Sequence, residues 1–179
     1  TDKTAEIAEE FGAKIIQTDN PPIFHINKQK ALDACSGDWI LQLDADEVVT
    51  EELKKEIEAI ITKQEPINGY YIPRRNYFLG HFLRKGGQYP DYVIRLVRRG
   101  NAVFPCKSVH EQIRVNGEPG YLKNPLLHYA DPDFSRYLMR WDRYTTAEVE
   151  RMPKETKLNF FNYIIEGIKH FNSIIHSLL

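Results

Sequence analysis

The stretch WILQLDADE, residues 39–47, decides how this chain is read: an apolar run ends in two aspartates, Asp44 and Asp46, separated by one alanine. Residues 39–43 read as a short strand covered on both faces, and therefore as a central one. Thr50, followed by Glu51 and Glu52, is a good helix N-cap with acidic groups at the positive end of the dipole. It predicts a helix over residues 51–63 with Leu53, Ile57, Ile60 and Ile61 inward. In open α/β sheets ligands collect beyond the carboxyl ends of the strands, where Asp44 and Asp46 fall. If the chain stays extended there, residues two apart project to one side and both carboxylates face one crevice. Ionised neighbours repel, and Mg2+ or Mn2+ carrying a diphosphate relieves that repulsion. The plainer alternative is that they cap the next helix or lie solvated in a turn.

Upstream, the same alternation of elements recurs. Residues 24–35 predict a helix, with Ile26, Ala31, Leu32 and Cys35 as buried positions and Ser36-Gly37 as its stop. TDKTAEIAEEFG, residues 1–12, predicts a helix capped by Asp2 or Thr4, with Ile7, Ala8 and Phe11 on one face and Gly12 ending it. AKIIQT, residues 13–18, then reads as a strand. The chain thus opens in the middle of an α/β alternation, as a fragment without its first strand would. Strand, turn, helix and strand at this spacing predict a largely parallel sheet.

Downstream, Tyr70, Tyr71 and Ile72 read as a strand ending at Pro73, after which Arg74, Arg75 and Asn76 bring polar and basic groups. In GGQYPDYVIRL, residues 86–96, Asp91 follows a glycine pair and Pro90, where a loop can bring a carboxylate to a substrate or simply stabilise a turn. Val93, Ile94, Leu96 and Val97 supply core. Arg84, Lys85, Arg95, Arg98 and Arg99 either neutralise a diphosphate or phosphorylated acceptor or form the solvated face of that strand.

Composition sets the outer bounds. Lys and Arg total 24 against 25 Asp and Glu, a net charge of -1, so no global field favours nucleic acid. Cys35 and Cys106 lack CxxC spacing, which argues against a disulfide framework or zinc site and fits a reducing compartment; both read as core or neutral positions. No segment reads as a signal peptide, and no apolar run approaches the roughly 20 residues of a spanning helix. Beyond Tyr129 the texture is helical. Phe134, Tyr137, Leu138, Trp141 and Tyr144 recur at helical spacing with Arg136, Arg140 and Arg143 between them, and Pro153 closes the segment. Residues 154–179 carry a second apolar stripe. Such helices suit an anionic membrane surface, or else pack on the catalytic domain or another subunit. The division is therefore residues 1–130 as an α/β domain, the candidate catalytic part, and 131–179 as amphipathic helices.

TDKT, NKQKALDACSGDWILQLDADE, RRNYFLGHFLRKGGQYPDYVIRLVRRG and SVHE, in that order, resemble family 2 glycosyltransferases of the GT-A fold. The nearest subgroup includes glucosyltransferases of the lipopolysaccharide core. The resemblance implies an α/β chain with a partial GT-A, Rossmann-like mixed sheet flanked by helices and a C-terminal helical extension. It implies an inverting, metal-dependent enzyme using Mg2+ or Mn2+. Its donor would be a nucleotide sugar, with a UDP-sugar favoured, and its acceptor a glycan or lipid-linked molecule of the cell envelope. The place would be the cytoplasm, at the inner face of the membrane. By the same resemblance Asp44 and Asp46 bind the donor, Asp46 with the metal, and Lys28 and Arg95 join the donor site. His110 is the second metal candidate, with His128 behind it; the plainer alternative for each is a hydrogen-bonded packing histidine.

The base that takes the acceptor's proton would be Asp91, with Glu111 of VHE as rival. Family members usually show an ED pair where this chain has Pro90-Asp91. They also carry a VSVVIPTYNE-type strand and a DSGSTDKT segment, of which TDKT alone is present, so an incomplete base pocket and weak nucleotide binding are expected. Two other readings stay open. DADEVVT fits a haloacid-dehalogenase phosphatase loosely, and a non-catalytic membrane or partner-binding module would need no donor site.

Overall fold

Asp44 and Glu47 close a turn on one another: the Glu47 N–H donates to the Asp44 carbonyl, and the Asp44 N–H to Glu47 Oε2, each at 3.0 Å. The computed structural model containing this turn describes residues 3–19, 21–63, 65–107 and 111–151. The helices are α1 (Thr4–Glu10), α2 (His25–Asp33), α3 (Glu51–Ile61) and α4 (Phe134–Arg151). The strands are β1 (Trp39–Leu41), β2 (Glu47–Val49), β3 (Gly69–Phe78), β4 (His81–Phe82), β5 (Asp91–Arg98), β6 (Ala102–Val103), β7 (Arg114–Val115), β8 (Gly120–Tyr121) and β9 (Leu126–Asp131). Seven of them form one mixed sheet in the order β1-β5-β3-β9-β2, with β4 and β8 on β3, while β6 and β7 pair separately.

The expected α/β mixture is present, but the sheet is not largely parallel. β1 on β5, β2 on β9 and β4 on β3 run antiparallel, and β3 on β9 runs parallel. Apolar periodicity reports burial and carries no information on strand direction, so the alternation of elements misled here. β1 ends the described sheet path instead of sitting at its centre, and its WIL segment pairs with the apolar run of β5. Residues 13–18 form no strand, since they find no ladder partner among the described residues; Ile16 is exposed. β3 continues through Pro73, because proline's fixed φ is compatible with an extended chain and the parallel register with β9 begins only at Arg74.

Helix expectations held unevenly. Thr50 caps α3 as its sequence indicated, its Oγ1 accepting from the Leu53 N–H at 3.1 Å. Leu53 is fully buried, whereas Ile61 is exposed. In α1 the cap position falls on Lys3 without a side-chain bond, Thr4 is already helical, and Ile7 and Phe11 are exposed. Gly12, at φ 75°, ends that helix as expected. Of the four positions expected to be buried around α2, Leu32 is buried, while Ile26, Ala31 and Cys35 are exposed. Cys35 is therefore not core, and Cys106 is half-buried with its thiol pKa raised by burial and by the Glu111 carboxylate.

By its internal contacts the chain divides into two units. The first comprises Thr1–Gln42, Glu65–Tyr70 and Ile94–Gly120, and buries Leu32, Ile40, Leu96, Val97, Phe104 and Ile113. The second comprises Leu43–Gln64, Tyr71–Val93 and Tyr121–Leu179, and buries Leu53, Ile72, Leu122 and Leu126. In this second unit α3 holds the loop that feeds β9. Glu56 takes the N–H groups of Lys123 and Asn124 at 2.9 and 2.8 Å, and Thr50 Oγ1 donates to the Pro125 carbonyl at 3.2 Å. The residues forming the 154–179 stripe lie outside the described residues, as does Pro153.

Candidate functional site

Asp44 and Asp46 do not sit side by side on an extended strand. The chain turns through Ala45 and Asp46, so strand alternation does not set their directions. The turn docks on β9 through a hydrogen bond from the Tyr129 N–H to the Asp46 carbonyl at 2.8 Å. Antiparallel pairing of β2 with β9 sets Glu47 opposite His128. The result is that His128 Nε2 stands 3.5 Å from Asp46 Oδ2. Asp46 is held below its usual carboxyl range, first by the hydrogen bond with His128; desolvation opposes this, while the charges of His128 and Arg74 add to it.

From His128 the contacts continue across β3. Its Nδ1 meets Asn76 Oδ1 at 2.7 Å, and Asn76 Nδ2 donates to Asp91 Oδ2 at 2.9 Å. Arg74 donates to the same oxygen from Nε at 2.9 Å and Nη2 at 2.7 Å, and its Nη1 lies 3.5 Å from Glu47 Oε1. The Glu47 side chain is fully buried, and its charge is balanced by Arg74 and the Asp44 N–H. Asp91 is the first residue of β5 instead of a loop residue, reached through the turn at Gly86 and Gly87, which sit at φ 69° and 71° where a side chain would be strained.

Two cavities flank this set. One of about 620 Å³ is lined by Arg74, Asn76, Asp91, His128, Asp131 and Tyr137, among others. Asp131 is buried and paired with Arg140 of α4, and Tyr137 sets its ring edge-on to Phe78 at 5.1 Å. The other, of about 470 Å³, is lined by Ala45, Asp46, Val48, Tyr129, Pro132 and Arg136. Asp46 borders the second and His128 the first, and their side chains stand 3.5 Å apart.

The remaining sequence-derived candidates fall elsewhere. Lys28 lies in the first unit with its Nζ over the Phe24 ring at 5.1 Å. Arg95, in the same unit, is buried and donates to Gln42 Oε1, so it is not part of a solvated strand face. Arg98 stacks over Trp39, and Arg99 donates to the Gly37 carbonyl. Glu111 takes the Lys107 N–H at 2.7 Å. His110 lies outside the described residues. Asn76, Arg74 and Glu47 carried no assigned role in the sequence, and His128 carried less weight than His110. Only the register of β2, β3 and β9 brings these four to the aspartates.

The donors present fit a divalent cation. The Asp46 carboxylate stays ionised, and the imidazole Nε2 is the ring nitrogen not engaged by Asn76. Among the described residues no group of three or more His, Cys, Asp or Glu is placed to hold a metal ion, so the donors here number two. An open site with one or two protein ligands suits a cation that keeps water or takes oxygens from phosphate.

A mixed α/β chain with such a centre is similar over most of its length to sugar-transferring proteins. The model of Glycosyl transferase family 2 matches residues 1–111, more than half the chain, and the chain belongs to that family. It is 28% identical over 145 residues to the lipopolysaccharide core biosynthesis glycosyltransferase LpsC of Rhizobium meliloti, covering 77% of this chain and 52% of that protein. An uncharacterized glycosyltransferase of Rickettsia felis is 43% identical over 188 residues, covering 96% of this chain and 64% of the relative. One from Rickettsia prowazekii is 38% identical over 185 residues, covering 94% and 61%. The chain thus spans about half to two-thirds of the length of these relatives.

Proposed function

We propose that the protein transfers a sugar, with inversion, from a nucleoside-diphosphate donor to a glycan or lipid-linked acceptor in lipopolysaccharide or other cell-envelope synthesis. Family membership supports the reaction class, and the similarity to LpsC supports the pathway. The observation that carries the mechanism is the arrangement of Asp46, His128, Asn76 and Asp91 in one connected set within one unit.

In this reading the donor diphosphate lies on the Asp46 side and the acceptor enters the cavity bordered by Asp91. A bound Mg2+ or Mn2+ would take Asp46 and His128 as protein ligands and supply positive charge to the leaving diphosphate. Asp44 orients the donor. The acceptor hydroxyl forms its bond to the anomeric carbon as the bond from that carbon to the diphosphate oxygen breaks, and the electron pair leaves with the nucleoside diphosphate. Asp91 accepts the hydroxyl proton. Arg74 and Asn76 keep its carboxylate aimed while both occupy Oδ2. The four exposed apolar residues Phe134, Leu138, Met139 and Trp141 on α4 support contact with the membrane surface where a lipid-linked acceptor resides.

Incubation with a panel of nucleotide sugars and lipid A-type or oligosaccharide acceptors, with Mn2+ or with chelator, tests the proposal. Acceptor-dependent release of nucleoside diphosphate and a heavier acceptor by mass spectrometry are expected. Release of inorganic phosphate with a phosphoaspartate trapped at Asp44 would instead identify a phosphohydrolase.

A further inference from the structure

We infer that Asn76 is a positioning residue that orients both His128 and Asp91. This inference rests on the glycosyl-transfer reading for its catalytic consequence, but its geometry stands apart from it. Asp91, as a carboxylate, can only accept hydrogen bonds, so the amide must turn its NH2 toward Asp91 Oδ2, 2.9 Å away. The amide oxygen then faces His128 Nδ1 at 2.7 Å, and a bond there requires a proton on Nδ1. The opposite amide orientation would set oxygen against oxygen at Asp91.

Two consequences follow from one side chain. In the neutral ring the lone pair falls on Nε2, the nitrogen that stands 3.5 Å from Asp46 and would meet a cation, whereas the Nε2–H that hydrogen-bonds the Asp46 carboxylate belongs to the doubly protonated ring. At Asp91, Asn76 and Arg74 place three N–H donors on Oδ2, while Oδ1 takes no hydrogen bond among the described residues. Oδ1 is therefore the oxygen left to receive the acceptor's proton. The parallel register pairing Asn76 with His128 makes the arrangement a property of the β3–β9 ladder. A plain packing role for Asn76 predicts neither consequence.

The test combines ring-nitrogen NMR of the full chain with kinetics for the wild type, Asn76→Ala and Asn76→Asp. At about pH 8.5, with metal absent, His128 in the wild type is expected as the Nδ1–H tautomer, and Asn76→Ala is expected to shift it toward Nε2–H. Asn76→Asp keeps an oxygen for His128 but repels Asp91. It should retain Mn2+ affinity within about threefold while kcat falls about 100-fold; Asn76→Ala should lose about 10- to 100-fold in Mn2+ affinity as well. Thermal unfolding identifies any variant that has failed to fold, and the wild-type tautomer is decisive even then. An Nε2–H ring in the wild type, or a folded Asn76→Ala chain with unchanged tautomer, Mn2+ affinity and kcat, overturns the assignment. A wild type with the expected tautomer that transfers no sugar and binds no Mn2+ counts instead against the glycosyl-transfer reading.

Discussion

His128 Nε2 stands 3.5 Å from Asp46 Oδ2, although the two belong to segments far apart in the sequence. The pairing of β2 with β9 creates that approach, and the Tyr129 N–H fixes it by donating to the Asp46 carbonyl. If this pair holds a cation, His128→Ala should weaken Mn2+ binding by about 10- to 100-fold without unfolding the chain. Calorimetric titration with Mn2+ in the presence of a nucleoside diphosphate measures it; equal affinity in the variant would remove His128 from the metal site.

Asp91 and Glu111 make opposing predictions. Asp91→Asn removes the base and should lower kcat by about 100- to 10,000-fold with little change in donor affinity. Glu111 is engaged by the Lys107 N–H, so Glu111→Gln should lower kcat by no more than about threefold. Steady-state kinetics with both variants decides between them, and a reversed order would move the base role to Glu111.

Acid should loosen the metal-free fold partly through Asp46. Its pKa lies below the ordinary 3.8, with the His128 hydrogen bond as the largest cause. A depressed carboxyl contributes stability that is present above the unfolded value and lost as pH falls through the folded one. Replacing His128 by Gln should therefore move the acid-unfolding midpoint of the metal-free chain upward. Far-ultraviolet circular dichroism between about pH 2 and 5 reads that shift, and an unmoved midpoint would contradict it.

The helix α3 anchors β9 and thereby the site. Leu53→Ala, at a fully buried position, should cost about 3 kcal/mol. Thr50→Ala, which removes the cap on Leu53 and the bond to Pro125, should cost about 1 kcal/mol. Urea denaturation measures both, and a cost at Thr50 equal to that at Leu53 would show that the link to Pro125 outweighs the cap.

Phe134, Leu138 and Trp141 recur at a spacing that places them on one face of α4, and all three are exposed. Vesicles containing anionic lipid should shift Trp141 fluorescence to the blue, and Phe134→Ser with Leu138→Ser should abolish co-sedimentation. Equal binding to neutral and anionic vesicles would argue against a basic contribution from the arginines of α4.

Local chemistry was the most legible part of the chain. The Thr50 cap, the apolar run Val93, Ile94, Leu96 and Val97, and the Gly12 stop each depend on neighbours in sequence, and each was readable there. Strand direction was not, because an apolar segment such as Trp39–Leu41 has the same pattern whichever way its partner runs. The turn at Asp44–Glu47 was hidden for a related reason: the spacing of DAD suits an extended chain, and the hydrogen bond from Asp44 to Glu47 involves a third acid that the motif does not count. Asn76 and His128 lie in segments with ordinary β patterning. Their importance emerges only from the β3–β9 register, a long-range fact that no window of sequence contains.

The most direct test separates binding from chemistry at the two ends of the connected set. Calorimetry of nucleoside diphosphate with Mn2+, followed by single-turnover sugar transfer, would be run on the wild type, Asp46→Asn and Asp91→Asn. Asp46→Asn is expected to lose nucleotide binding that depends on Mn2+, whereas Asp91→Asn should bind as the wild type does but transfer sugar at least about 100-fold more slowly. Unchanged Mn2+-dependent binding in Asp46→Asn, or unimpaired transfer in Asp91→Asn, would contradict it.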